Sequence, residues 1–217
     1  MEMVKDIFKP VRLTNVVKLG SYEEVDGLDL ATVTKAEGDK GTKLDGLIIR
    51  GYETKFASGT NENGERYTKE CLDDFFERYY VANKLNMPFT IQHRDDLLHL
   101  CGRVLTVEVN SVGFYFVCYI PRTLPEYGRV KTLIKEGVLQ GLSKEGWCTK
   151  GKCYYTKDGQ FDYFLVEEMQ ITAMSLVTTP ANGNPLEKAQ EVRNALTVIK
   201  NNDNNAEEVD AFEAMFN

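Results

Sequence analysis

The sequence predicts an α+β fold in which a mostly antiparallel sheet closes into a small β-barrel with flanking helices. About six or seven short apolar runs are separated by turn signals, a pattern typical of antiparallel strands. Two of these turn signals are Asn110–Gly113 and Asp158–Gly159. Apolar residues at helical spacing occur in only a few segments, so helices should flank the sheet. A sheet with this many short strands can remove its edges by closure, and we therefore predict a barrel.

The strands are predicted from runs of apolar and β-branched residues. The first is Leu44–Ala57, in which Leu47, Ile48 and Ile49 indicate a buried strand. A shorter run, Pro88–His93, ends on a histidine. The remaining predicted strands are Leu100–Val109, Gly113–Ile120, Val138–Trp147, Cys148–Thr156, and Phe161–Val177 with a break near Glu167 and Glu168.

The helices are predicted from amphipathic spacing and end signals. The first begins near Thr68, and its apolar residues at three- and four-residue spacing are Leu72, Phe75, Phe76 and Tyr79. The second, Tyr127–Glu136, has one apolar face and stops at Gly137. The third begins at Asn184–Pro185, with asparagine as cap and proline in the first turn, and runs to Lys200.

Chain length and composition suggest how the sequence is organised. A chain of 217 residues fits one domain with a real core. Residues 45–200 are predicted to form that domain, preceded by an N-terminal arm or propeptide-like segment at residues 1–44. Residues 201–217 are rich in asparagine and acids, and we expect a disordered polar tail there.

Charge and hydropathy exclude several classes of protein. The net charge is −7 and the pI about 5.1, so there is no sequence-wide basic field to hold nucleic acid. No apolar run is long enough for a membrane helix, and the first residues lack the apolar stretch of a signal peptide, which predicts an intracellular protein.

The cysteines are expected to be reduced and buried. There are five of them, an odd number, and no two form a C-x-x-C pair. The spacings of the nearest candidate ligands match no common zinc template, so neither a metal nor another cofactor is predicted. Those candidates are His99, Cys101, Cys148 and Cys153.

Ser143 and His93 are the candidate nucleophile and general base. Ser143 lies on a predicted strand between Gly141 and Gly146, and small neighbours would let backbone amides approach a developing oxyanion. His93 is one of two histidines and ends a predicted strand. A serine and a histidine at element edges are the minimum parts of such a pair, although each alone could also be an ordinary surface residue.

Other catalytic signatures are missing from the sequence. It contains no G-x-S-x-G elbow, no H-E-x-x-H helix and no complete G-x-x-x-x-G-K-[ST] phosphate loop. Glu167 and Glu168 are adjacent, so on a regular strand their carboxylates point to opposite faces. The candidates therefore remain Ser143 and His93.

Several short motifs run through the chain in a distinctive order. They are Gly51–Tyr52, Asn61–Tyr67, His93, Gly102–Val104, Glu136–Ser143 and Ser175–Asn182. Together this set resembles the prohead maturation proteases of tailed phages, which are related to the herpesvirus assembly proteases. Each motif is degenerate, but the ordered set is specific and spans most of the chain, roughly residues 45 to 190.

The resemblance implies a serine endopeptidase with a herpesvirus-protease-like fold, Ser143 as nucleophile and His93 as general base. Its implied substrates are the major capsid protein, the scaffold protein and the protease itself, inside the immature phage capsid in the host cytoplasm. No nucleic-acid or membrane partner is implied. A homo-oligomer is compatible with the resemblance, because the herpesvirus relatives dimerise. The polar tail is a candidate for self-cleavage.

The third member of a catalytic triad is left open. Many relatives carry an acidic residue within or just before the Ser175–Val177 stretch, where this chain has Ala173 and Ser175. On a regular strand Glu167, Ala173 and Ser175 would share one face. Ser175 could orient the imidazole as a neutral acceptor, Glu167 could reach in, or a backbone carbonyl or water could serve.

Two other interpretations compete with a protease. One is a catalytically inactive capsid-assembly or scaffold protein of the same fold, which the missing acid favours. The other is an unrelated α+β binding domain in which Ser143 is only a surface residue. The presence of both His93 and Ser143 within the ordered motifs favours the protease.

Overall fold

The computed structural model describes residues 3–7, 9–55, 59–61, 63–82, 86–94 and 99–178 of the 217-residue chain. The predicted helix from Asn184 to Lys200 and the predicted tail at residues 201–217 fall outside these ranges. Within them, no helix has the length and apolar character needed to cross a membrane.

Strands dominate the described part of the chain. The strands are β1 (Met3–Asp6), β2 (Val11–Lys18), β3 (Ser21–Asp29), β4 (Lys43–Lys55), β5 (Glu65–Tyr67), β6 (Pro88–Ile91), β7 (Leu100–Val109), β8 (Gly113–Pro121), β9 (Gly141–Tyr155) and β10 (Phe161–Val177). The helices are α1 (Leu30–Thr34), α2 (Lys69–Phe75), which continues as a π-helical segment over Phe76–Val81, and α3 (Tyr127–Lys135). This α+β content confirms the predicted fold class.

The strands join in one mixed, mostly antiparallel sheet. The order of the strands in the sheet is β1-β9-β10-β6-β7-β8-β4-β3. Two strands lie off this path: β2 pairs with the same edge of β9 as β1, and β5 pairs with the same edge of β10 as β6. Only the pairings of β10 with β5 and β6 are parallel. The long β9–β10 hairpin is therefore held by strands along both of its edges.

The predicted barrel closure is wrong. Within the described residues, the ladder begins with β2 on β9 and ends with β3 on β4, and no backbone pairing joins β2 to β3. Instead the chain passes directly from β2 to β3 through Leu19–Gly20. Gly20 lies so close to β4 that an added Cβ would be 2.4 Å from the Arg50 carbonyl oxygen. A covalent crossover thus bridges the two ends of the sheet where a closed barrel would have a ladder.

Several predicted elements are confirmed and others are revised. The β7–β8 pair and α3 appear where they were predicted, and Thr68 caps α2 by accepting a hydrogen bond from the Cys71 amide at 3.1 Å. The two strands predicted on either side of Cys148 are one continuous strand, β9. The break predicted near Glu167 is a set of register shifts inside β10. The strands β1–β3 within residues 1–44 were not predicted.

The core lies on both faces of β4. Leu47 and Ile49 join the main apolar cluster, onto which α2 and α3 pack. Leu44 and Ile48, on the opposite face, join a smaller cluster beneath α1. All five cysteines are free and buried, as predicted. Burial of both faces explains why the Leu47–Ile49 run is continuously apolar.

Candidate active site

Ser143 lies near the start of β9, the strand next to the β1–β2 edge of the sheet. In β9 it is opposite Ser175 of β10 on one side and Val16 of β2 on the other. Its side chain is fully buried, and the hydroxyl donates a long hydrogen bond of 3.4 Å to the Lys144 carbonyl oxygen. The hydroxyl is therefore closed off from solvent in this structure.

Strand alternation separates the neighbours of Ser143 into two environments. Leu142 belongs to the main core cluster, and Lys144 points the same way, with its ammonium 2.7 Å from the Glu53 carboxylate. Ser143 and Glu145 consequently share the opposite face of β9. The segment Ser143–Glu145 thus carries a hydroxyl and a carboxylate on one face and a cation on the other.

A buried polar cluster holds Lys144 in the core. Lys144 and Glu53 are both almost completely buried, and the Lys144 ammonium lies 3.8 Å from the centre of the Tyr67 ring. The Tyr67 hydroxyl donates to Glu65 at 2.5 Å, and Asn61 donates to the same carboxylate oxygen at 3.0 Å. Burial and the neighbouring carboxylates raise the pKa of Tyr67 well above its ordinary value. The Asn61–Tyr67 motif therefore packs the Tyr67 ring against Lys144 of the strand that carries Ser143, and its internal hydrogen bonds hold that ring in place.

His93 lies in a tight turn at the end of β6. Gln92 and His93 both have left-handed φ angles, 57° and 56°, and the Arg94 amide donates back to the Ile91 carbonyl at 3.3 Å. The Gln92 amide donates to the Leu176 carbonyl of β10 at 2.8 Å, which fastens the turn to the hairpin. Two successive left-handed residues outside glycine are uncommon, so this turn is strongly determined by its surroundings.

The turn brings the His93 ring to Glu145. His93 Nδ1 lies 2.5 Å from Glu145 Oε1, and the two side chains are 23% and 19% exposed. Neither atom has a hydrogen-bond partner among the described residues, so this is a close contact between a ring nitrogen and a carboxylate oxygen. Glu145 was not among the site residues predicted from the sequence. The available signal was alternation, which puts residues 143 and 145 on one face.

The predicted pair is brought to one region of the sheet but not into direct contact. Between the described residues Ser143 and His93 there is no hydrogen bond, since the serine hydroxyl is directed to the Lys144 carbonyl. The histidine instead contacts the residue two positions further along the serine strand. In proteases without substrate, catalytic hydrogen bonds are often long or misaligned, so this arrangement remains compatible with a serine–histidine pair.

The structure places the earlier candidates for the third residue elsewhere. Glu167 contacts Lys152 at 2.7 Å and Lys150 at 3.6 Å, and the Lys152 hydrogen bond lowers the pKa of the Glu167 carboxyl. Ser175 is hydrogen-bonded to Thr90 at 2.5 Å. Register shifts in β10 interrupt regular alternation between residues 166 and 173. Ala173, where relatives were expected to carry an acid, is directly opposite Glu145.

Gly146 has a packing role that the sequence did not reveal. An added Cβ there would lie 2.2 Å from the Gln170 carbonyl oxygen of β10. Its small size therefore permits close approach of the two hairpin strands next to a register shift between Ile171 and Ala173. This differs from the predicted role of admitting backbone amides to an oxyanion.

Comparisons with known proteins agree with this arrangement of elements. No curated protein matches the chain. A solved structure, the capsid assembly protease gp21 of bacteriophage T4, is similar, with 18% sequence identity and a TM-score of 0.55. The match covers 80% of this chain and 100% of that one, and at this identity it shows a shared fold. The sequence profile described as caudovirus prohead serine protease matches residues 32–197, which include both Ser143 and His93. With most of its length matched, the chain belongs to the caudovirus prohead serine protease family.

Proposed function

We propose that this prohead protease is a serine endopeptidase in which Ser143 is the nucleophile, His93 the general base and Glu145 the positioning residue. The observation that supports it is the contact of 2.5 Å between His93 Nδ1 and Glu145 Oε1, on the strand face that carries Ser143. When Nδ1–H donates a hydrogen bond to this carboxylate during catalysis, the imidazole tautomer is fixed so that Nε2 is the nitrogen available to accept a proton.

The mechanism is acyl transfer in two steps. His93 Nε2 removes the hydroxyl proton of Ser143 as Oγ attacks the substrate carbonyl, and Glu145 stabilises the resulting imidazolium. The tetrahedral intermediate then breaks its C–N bond, and His93 returns the proton to the leaving amine. Water repeats the sequence on the acyl-enzyme and regenerates the free serine.

The placement of Glu145 also answers the main argument for an inactive scaffold protein. That alternative was favoured by the lack of an acid at Ala173 and Ser175. Glu145 lies directly across from Ala173 in the β9–β10 ladder, so the carboxylate can come from β9 where relatives take it from β10. We therefore favour an active protease over an inactive protein of the same fold.

The substrates we propose are the proteins of the immature capsid. A family whose description names the prohead, and a structural neighbour described as a capsid assembly protease, support the major capsid protein and the scaffold protein. The protease itself is a further proposed substrate, cut inside the prohead. Cleavage of the chain between the domain at 45–200 and the tail at 201–217 is the form of self-processing we propose.

Co-expression with the capsid and scaffold proteins of the same phage tests this proposal. The wild-type chain is expected to shorten its partners, and Ser143→Ala and His93→Ala are each expected to abolish the shortening. Ser175→Ala is the matched control, since this serine is equally buried and next to Ser143 across the ladder. A wild type that cuts neither partner would favour the inactive scaffold protein. Mass spectrometry of the chain gives the second readout, and a tail lost equally from wild type and Ser143→Ala would rule out self-cleavage.

A further inference from the structure

Trp147 is an exposed aromatic residue on the same strand face as Ser143 and Glu145. It is the single tryptophan of the chain and is 45% exposed. The pairing of β9 with β2 is regular from Gly141 to Cys148, so residues 143, 145 and 147 point to one side. At about 3.3 Å per residue, Trp147 lies about 13 Å along the strand from Ser143. A peptide bound in extended form at Ser143 spans that distance with about four residues.

A shallow, open pocket adjoins Trp147. It has a volume of about 470 Å³ and is lined by Lys9, Pro10, Trp147, Thr149 and Gln170. The volume falls within the ordinary range for ligand sites. Across the ladders, Trp147 is flanked by Arg12 of β2 and by Gln170 of β10. The pocket therefore combines an indole face with an amide and with two neighbouring basic side chains.

Two basic side chains, Lys9 and Arg12, lie beside this pocket. Lys9 and Arg12 are exposed, and the carboxylate at the rim belongs to Glu168, which accepts a hydrogen bond from Thr149 at 3.1 Å. The other nearby carboxylate on this face of β9 is Glu145, which contacts His93. An indole face binds an aromatic ring by stacking, and lysine and arginine bind carboxylates. The chemistry that fits is an acidic peptide segment with an aromatic side chain.

Such a segment is present in this chain. Residues 206–217 read Ala-Glu-Glu-Val-Asp-Ala-Phe-Glu-Ala-Met-Phe-Asn, with acids on both sides of Phe212 and with no lysine or arginine. Trp147 pairs with Gln170, which lies seven residues before Val177 at the end of β10 and so about 23 Å from it. The 27 residues between Thr178 and Ala206 reach about 90 Å when extended, which is longer than this distance. The segment therefore meets both the chemical and the length requirements.

We propose that the Trp147 pocket is a substrate-docking subsite for acidic, phenylalanine-containing peptide segments, and that residues 206–217 of this chain occupy it. The proposal rests on the proposed protease function, because docking about four residues away would hold the adjoining peptide across Ser143. It names a class of substrate sequence and gives Trp147 a role in selecting it.

The intrinsic fluorescence of the single tryptophan tests the docking directly. The receptor is the full chain with three substitutions. Ser143→Ala prevents cleavage, and Phe212→Ser with Phe216→Ser weakens binding of the chain's own segment so that the pocket is empty. A synthetic peptide of residues 206–217 is then titrated in. We expect a saturable change in Trp147 emission, and no saturable change would overturn the proposal.

Two matched comparisons separate specific docking from general attraction. In the first comparison, the four acids of the peptide are replaced by amides, and we expect this peptide to bind the same receptor at least about tenfold more weakly. In the second, the acidic peptide is titrated into a receptor that also carries Lys9→Glu and Arg12→Glu, and we expect a loss of the same size. The control receptor carries Lys157→Glu and Arg129→Glu, which reverse the same number of charges on other exposed residues. If the cations beside Trp147 bind the peptide, this control should change its affinity less than twofold. Equal binding of the amide peptide, or an equal loss in the control receptor, would contradict the proposal.

Peptide binding and capsid-protein cleavage are measured independently, because the receptor used for binding carries no nucleophile. A chain that binds the peptide but cuts no capsid protein would overturn the protease and leave the subsite. A chain that cuts capsid proteins but does not bind the peptide would overturn the subsite and leave the protease.

Discussion

At the residue scale, our proposal makes Glu145 the residue that holds the histidine for catalysis. Its carboxylate contacts His93 Nδ1 at 2.5 Å. Glu145→Gln keeps the shape of the side chain but removes the charge that stabilises the imidazolium, and the amide can present an N–H to Nδ1, which favours the wrong tautomer. By analogy with other serine proteases, we expect kcat to fall by about 10²–10⁴-fold, measured on a peptide from the capsid cleavage site.

Glu167 offers a matched control for that substitution. It is also a partly buried strand glutamate, but it is paired with Lys152 and Lys150. Glu167→Gln is therefore expected to leave kcat within about twofold of wild type, because surface ion pairs contribute little. A large loss from Glu167→Gln together with little loss from Glu145→Gln would reverse our assignment of the third residue.

The sequence predicted two of the three proposed site residues and missed the third for a physical reason. Ser143 and His93 stand out through local signals, a glycine-rich approach and a strand end. The role of Glu145 depends on the left-handed turn at Gln92 and His93, which folds the ring back over the hairpin. Nothing in the local sequence near Glu145 reports a turn about fifty residues upstream, so only the assembled sheet reveals the contact.

At the element scale, β9 is held in place by a fully buried ion pair. Lys144 and Glu53 have no exposed side-chain surface. Lys144→Met leaves the Glu53 carboxylate buried without its cation, and we expect the free energy of unfolding to fall by about 3–5 kcal/mol. The double change Lys144→Met with Glu53→Gln removes both charges and should lose less than the single change. Urea denaturation measures both, and a double variant less stable than the single one would contradict this account.

The β9–β10 hairpin also depends on close backbone approach at Gly146. A Cβ at this position would lie 2.2 Å from the Gln170 carbonyl oxygen, closer than any real contact. Gly146→Ala is therefore expected to push the strands apart and to destabilise the protein by about 1–3 kcal/mol. Gly128→Ala on α3 is the control, because nothing lies near its added Cβ and alanine favours a helix. Equal stability of Gly146→Ala and wild type would show that the hairpin tolerates the extra atom.

Prediction at the element scale succeeded where periodicity was strong. The β7–β8 pair and α3 follow directly from alternation and helical spacing. Barrel closure failed because strand count cannot reveal that the chain crosses from β2 to β3 through Leu19–Gly20 without pairing. Among the strands in residues 1–44, β3 was missed because it is mostly exposed, so its sequence is polar and lacks an apolar stripe. The strand β2 does alternate, with Val11 and Leu13 buried, but this run is too short to stand out.

At the scale of the whole molecule, Ser143 is closed off while the rest of the site is partly open. Its side chain is fully buried, whereas His93 and Glu145 are 23% and 19% exposed. A substrate carbonyl can therefore reach Ser143 Oγ only after the surrounding chain moves. Labelling of Ser143 by a fluorophosphonate should be slow in buffer and several-fold faster in urea well below the unfolding midpoint, because local openings are less costly than global unfolding.

The buried cysteines distinguish a local opening from unfolding of the whole sheet. Burial raises the pKa of the Cys71, Cys101 and Cys153 thiols to about 12, so at pH 8 these groups stay protonated and unreactive while they remain buried. Exposure removes the cause of the raised pKa, so the thiols react once the sheet around them opens. At low urea concentration, we expect the rate of serine labelling to rise without any modification of the thiols. This rise should vanish in Ser143→Ala and persist in Ser175→Ala. Fast labelling that does not depend on urea would show an open site. Serine and thiols reacting in step would show that access to Ser143 requires the protein to unfold.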